Sequence, residues 1–175
     1  MKNSIVVSDT TAITHMAAIG ALRLIEFLFT EIYIPQAVYH ELTKHGDRIP
    51  GSIEAKTSKW IILETVNDQA KVGSIINSAR ANKKSLHAGE TEAIVLAKEL
   101  NADFIIMDEV TGREYATKEG LKAIGMLGIL LKAKEKKQID SVKNYMDLLI
   151  GSGFIVGDKL YHDVLVSAGE RQEQA

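Results

Sequence analysis

The sequence predicts an α/β fold in which a mainly parallel five-stranded sheet is covered on both faces by helices. Three observations carry that expectation. Short β-rich apolar runs recur at residues 5–7, 32–34, 61–63, 104–107 and 123–124. Stretches with apolar residues at helical spacing separate them, the alternation that builds parallel sheets. The 175 residues, 46% of them apolar, suffice for one domain with a real core. The chain is therefore expected to form a single unit over 1–175, with about 139–170 as a helical extension packed on it.

The elements follow in order. After the first strand and Ser8-Asp9, residues 11 to about 29 place Ile13, Met16, Ala17 and Leu24 at helical spacing, with Gly20 as the break. Pro35 closes the second strand and starts a helix ending near Leu42, since its fixed φ suits a first helical turn. Residues 68–80 give the stripe Val72, Ile75, Ile76 and Ala79, and 90–100 give Ala93, Ile94, Ala97 and Leu100. A helix over 127–137 follows the fifth strand, and 141–150 and 158–168 supply two more, joined by Gly151-Ser152-Gly153. Gln138-Ile139-Asp140 is too short for a linker, and no internal repeat or low-complexity tract is present.

Composition narrows the chemistry. With 21 Lys+Arg against 23 Asp+Glu the net charge is -2, which excludes a bulk polycation. The absence of cysteine excludes a disulfide framework, a thiolate zinc site and a Cys nucleophile. The first apolar run is too short for a signal peptide, and the segment 16–29 is interrupted by Arg23 and Glu26. A cytoplasmic protein without a membrane span is expected.

In open α/β sheets ligands bind beyond the carboxyl ends of the strands. Two strands there end in an acid: Asp9 after the first, and Asp108, with Glu109 beside it, after the fourth. Asp9 is placed equally well to cap the following helix and to ligate a cation. Glu90 lies at the head of the buried stripe of its helix. Glu92 is about 200° around the axis from it, so a regular helix presents only one of the two to a common site, and Glu90 is the better placed. As a first-turn acid it also suits the helix dipole. Glu41 flanks the Val38/Leu42 stripe of the proline-led helix, where a solvated role is the alternative. His40 and His45 are five apart, whereas a zincin pair must be four apart. Asp9, Glu41, Glu90 and Asp108 brought to one end of a sheet would repel one another without a cation. Oxygen donors without Cys point to Mg²⁺ or Mn²⁺.

These segments resemble the PIN-domain family of metal-dependent ribonucleases, especially its toxin-type branch in toxin/antitoxin pairs. The resemblance spans residues 5–131 and rests on Val7-Ser8-Asp9-Thr10-Thr11, on Ile34-Pro35-Gln36-Ala37-Val38-Tyr39-His40-Glu41-Leu42, and on Gly89-Glu90-Thr91-Glu92-Ala93-Ile94 leading to Asp108. The spacing from Glu90 to Asp108 is that of the two acids that bracket this helix and strand in the family. The family more often has Asp where Glu90 stands. The segments 108–113 and 124–128 look more like a less characterised PIN-like branch.

The resemblance implies a three-layer α/β/α sandwich and endonucleolytic cleavage of RNA. It also implies a divalent ion held by Asp9, Glu41, Glu90 and Asp108, a homodimer, and a co-encoded antitoxin. On that reading Asp9 and Asp108 ligate the ion, Glu90 ligates it or stands behind a ligand, and Glu41 positions or deprotonates the attacking water. Thr10, Thr11 and Arg113 are candidates for contacts to substrate, with helix capping and a surface role as their alternatives. The Asn82-Lys83-Lys84-Ser85 loop and Lys132, Lys134, Lys136 and Lys137 are candidates for RNA backbone contacts. His15, His87, His162 and Trp60 receive no role. One rival is a PIN-shaped binding module without turnover, compatible with Glu in place of Asp at position 90. Other phosphotransfer folds fit less well: a haloacid-dehalogenase-like phosphatase needs an acid where Thr11 stands, and a response-regulator receiver needs an acidic pair before its Asp. A dinucleotide-binding domain needs a G-x-G-x-x-G after the first strand, which is missing.

Overall fold

Side-chain alternation decides how the middle strands are buried. In the computed structural model, which describes residues 4–171, β1 (Val6–Ser8), β2 (Ile32–Pro35), β3 (Ile61–Glu64), β4 (Phe104–Ile106) and β5 (Ala123–Ile124) form one sheet of order β3-β2-β1-β4-β5. All its pairings are parallel. Val6, Ile32, Ile34 and Ile106 enter one core, while Val7, Ile105 and Met107 enter the other, as the two-residue period of a strand requires.

The first core is closed by α1 (Thr10–Ala18), α2 (Arg23–Phe29), α3 (Gln36–Thr43) and α4 (Ser52–Thr57). The second is closed by α5 (Gln69–Ala81), α6 (Ala88–Glu99) and α7 (Val110–Lys118). The last helices, α8 (Met126–Glu135), α9 (Val142–Gly151) and α10 (Asp158–Ser167), return to the first core, where Met146, Leu149, Val164 and Leu165 are buried. Among the described residues no helix is long and apolar enough to cross a membrane.

The chain lays β2 and β3 to one side of β1, then crosses back to lay β4 and β5 on the other. Strand order therefore reverses between β1 and β4, and a crevice opens at their carboxyl ends. The architecture is the expected α/β sandwich, with the sheet wholly rather than mainly parallel.

Several boundaries move. The helical stretch over 11–29 breaks at Gly20 as expected, its φ of 68° separating α1 from α2, and the first of the two begins at Thr10. The α6 helix begins two residues before Glu90, at Ala88, which puts Glu90 in the interior of its first turn. Helices α4 and α7 lie outside the elements expected from the sequence. In α7 the buried positions are Gly112, Tyr115 and Ala116, so two of the three have little side chain to reveal the stripe. Gly112 is small because a Cβ there would stand 2.5 Å from the Met107 sulfur.

The C-terminal helices are locked to α8 by one carboxylate. Glu170 accepts hydrogen bonds from the N–H groups of Val142 at 2.5 Å and Lys143 at 2.9 Å, from the Ser141 hydroxyl at 3.0 Å, and from the Lys134 ammonium at 2.6 Å. It thus serves as the anion at the N-terminus of α9 and ties the end of α10 to α8. Burial raises the Glu170 pKa, but Lys134, the two N–H groups and Ser141 outweigh it and hold the carboxyl at about 2.

Because that value lies below the ordinary 4.5, the stabilisation is present above pH 4.5 and fades as pH falls towards about 2. Glu170→Gln is expected to cost about 1–2 kcal/mol near neutral pH. In urea titrations at successive pH values, its deficit against the parent protein should shrink through that acid window.

Candidate functional site

Each acid singled out in the sequence is met by a backbone N–H at the start of a helix. Asp9 follows β1 as the N-cap of α1, and its Oδ1 accepts from Ala12 N–H at 3.0 Å. Its other oxygen, Oδ2, is buried without a hydrogen-bond partner. Burial, opposed by the Ala12 hydrogen bond and reinforced by the charges of Asp108, Glu90 and Glu41, pushes the Asp9 carboxyl up to about 8.

Asp108 follows β4 and accepts the N–H of Met126, the first residue of α8, at 3.1 and 2.9 Å. Burial raises its pKa, against the pull of Met126 N–H and the Arg113 guanidinium. Gly125 makes this approach possible, because a Cβ there would stand 2.5 Å from Asp108 Oδ1. Arg113 Nη1 donates to the Met107 carbonyl at 2.9 Å, which fixes the guanidinium beside Asp108.

Glu41 reaches across from α3. The Thr10 hydroxyl donates to its Oε2, and Gly89 N–H donates to Oε1 at 2.9 Å. A Cβ on Gly89 would lie 2.6 Å from Glu41 Oε2 and 2.9 Å from Thr10 Oγ1, so only glycine lets α6 come this near. Glu90, buried, takes the N–H of His87 at 2.9 Å. Burial raises its pKa, partly offset by His87, while Glu109 and Glu41 add to the rise.

The neighbouring acids are placed elsewhere. Glu92 points to α3 and accepts Ala37 N–H at 2.9 Å, so it braces two helices. Glu109 is exposed and caps nothing with its side chain. A cleft of about 350 Å³ is lined by Thr10, Thr11, Glu41, Lys44, His87 and Glu90, among others. Lys44 and His87 are lining residues that the motif reading leaves without a role. Their signal was positional: Lys44 lies one turn beyond Glu41, and His87 immediately precedes α6. Lys134 and Lys84, two of the sequence's candidate RNA contacts, are instead paired with Glu170 and Glu114.

The donor set suits a hard cation: oxygen ligands only, three carboxyls with raised pKa values, and one buried oxygen with no partner. As the side chains lie, no three or more His, Asp or Glu groups among the described residues converge closely enough to hold a metal. Asp108, Glu90 and Glu41 act on Asp9 through their charge, while each of the four acids accepts a backbone N–H.

A sequence profile described as a PIN domain matches residues 5–170. It extends past residue 131, where the motif-bearing segments end, to include α9, α10 and the three residues that follow α10. Comparison with curated proteins finds no match.

The raised Asp9 pKa carries a stability cost with a defined sign. An acid whose pKa rises from 3.8 to about 8 on folding destabilises the fold increasingly as pH climbs between those values. Asparagine caps a helix as well as aspartate does. Asp9→Asn is therefore expected to be more stable than the parent protein at about pH 8 in EDTA, by on the order of a few kcal/mol. Thermal unfolding at several pH values checks this, and the advantage should vanish near pH 3.8.

Proposed function

Because the chain belongs to the PIN-domain family, we propose that it is a divalent-metal-dependent endoribonuclease that hydrolyses RNA phosphodiester bonds. On this reading it is the toxin of a toxin/antitoxin pair, acting in the cytoplasm as a homodimer and neutralised by a co-encoded antitoxin. Residues 1–175 form one nuclease unit, helices α9 and α10 included. One observation supports the chemistry: Asp9 carries a buried oxygen without a partner, and the charges of Asp108, Glu90 and Glu41 act on its carboxyl.

Asp9 and Asp108 would hold Mg²⁺ or Mn²⁺ directly, with Glu90 as a further ligand or an acid behind one. Such an ion, when bound, makes water a better nucleophile and shields charge on the phosphate. Glu41 orients the attacking water and accepts its proton. Thr10 restrains the Glu41 carboxylate through Oε2, and Thr11 faces the same cleft. Arg113, pinned to the end of β4, supplies a phosphate contact.

The engagement of all four acids with N–H or hydroxyl donors favours a second reading, a PIN-shaped module that binds RNA or an antitoxin without turnover. One experiment separates the two. A mixed pool of single-stranded and structured RNA is incubated with the protein in Mg²⁺, in Mn²⁺ and in EDTA. Metal-dependent fragments, absent with Asp9→Asn and Asp108→Asn, are expected. Glu41→Gln should lower kcat by about 10²–10⁴. An intact pool under every condition, with no calorimetric heat of metal binding, would leave the binding module as the function.

A further inference from the structure

A polyanion drawn towards a cluster of carboxylates needs cations that are not already neutralised. Lys44 is one. It ends α3, is exposed, and lines the same cleft as Glu41 and Glu90. The acid one turn before it, Glu41, is turned to Thr10 and Gly89. Lys44 forms no ion pair among the described residues.

A second cleft, of about 360 Å³, lies between α5 and the start of α6 and is lined by Arg80, Lys84, Leu86 and Ala88, among others. One chain segment borders both clefts: His87 lines the first, and its neighbours Leu86 and Ala88 line the second. Of the two cations in this second cleft, Lys84 is neutralised by Glu114, which also holds Lys118 at 3.0 Å. Arg80 is exposed and forms no ion pair among the described residues.

We propose that Lys44 and Arg80 hold backbone phosphates of a single RNA strand that runs from the cleft holding Glu41 and Glu90, past His87, into the second cleft. The inference rests on the RNA reading above and names the path of its substrate. Both residues act as positioning groups: they touch phosphates away from the scissile bond and leave the chemistry to the carboxylates. Lys84, the more obvious cation in sequence, contributes little because its charge is already met.

The test is equilibrium binding of a fluorescent oligouridylate, with Ca²⁺ in place of Mg²⁺, across a salt series. Each phosphate contact on a single strand adds about 0.7 to the slope of log K against log salt. Lys44→Gln and Arg80→Gln should each flatten the slope by about 0.7, with unchanged thermal midpoints, and Lys84→Gln should flatten it far less. In cleavage assays the first two should raise KM severalfold with kcat nearly unchanged.

Unchanged slopes for Lys44→Gln and Arg80→Gln, an equal effect of Lys84→Gln, or no binding of the oligouridylate by the parent protein would overturn the proposal. A parent protein that binds with the expected slopes but never cleaves overturns the nuclease reading and supports this one. Cleavage with unaltered slopes does the reverse.

Discussion

Ala12, Gly89, His87 and Met126 each direct a backbone N–H at one of four carboxylates, and the rest of the arrangement depends on these hydrogen bonds. They belong to the starts of α1, α6 and α8, where the helix dipole concentrates about half a positive charge. Acids brought together in a protein interior need positive potential, and here much of it comes from fixed peptide groups, with Arg113 as the guanidinium beside Asp108. Three helices must then begin at the same edge of the sheet. Parallel strands provide that for α1 and α8, which start where β1 and β5 end, while α6 follows α5 and starts beside Glu41. Gly89 and Gly125 complete the arrangement by letting the helix starts approach closer than a Cβ would allow.

How much of this is legible in the sequence depends on how local the cause is. The runs at β1 to β5 and the acids that follow β1 and β4 are local features, and they point to the edge where the site lies. Glu41 is different: its partners Thr10 and Gly89 are 31 and 48 residues away, so nothing near it shows that it is held rather than solvated. Helix α7 escapes because glycine and alanine occupy much of its buried face. Lys84 and Arg80 look alike in sequence, and only the approach of Glu114 on α7 to Lys84, in the loop after α5, separates a neutralised cation from an available one. The Glu170 clamp likewise joins residues 28 and 36 positions apart.

The two helical layers also differ in what they are made to bear. The face covered by α5, α6 and α7 is tied by ion pairs such as Lys71 with Glu119 at 2.7 Å and by the α6 capping bonds. It carries Glu90 and, through Gly89, the position of Glu41. The opposite face is thicker, with α8, α9 and α10 wrapped round α1 and α2. That bulk gives α8 a firm seat, and through Met126 N–H it fixes Asp108. Stability far from the crevice is therefore transmitted to it by the orientation of one helix.

The position of β1 in the middle of the sheet bears on the order in which the molecule is made. This strand leaves the ribosome before the other four, yet one of its edges stays unpaired until β4 arrives, Val6 facing Phe104 and the Ile5 N–H bonding Asp103, 98 residues later. Closing so long a loop is slow compared with forming the β1–β2–β3 portion. A nascent chain that has reached β3 holds Asp9 and Glu41 but neither Glu90 nor Asp108, and the N-terminus of α8 does not yet exist. An enzyme of the proposed kind is built on an RNA template by an RNA machine. With this strand order, its carboxylates cannot assemble until most of the chain has been translated.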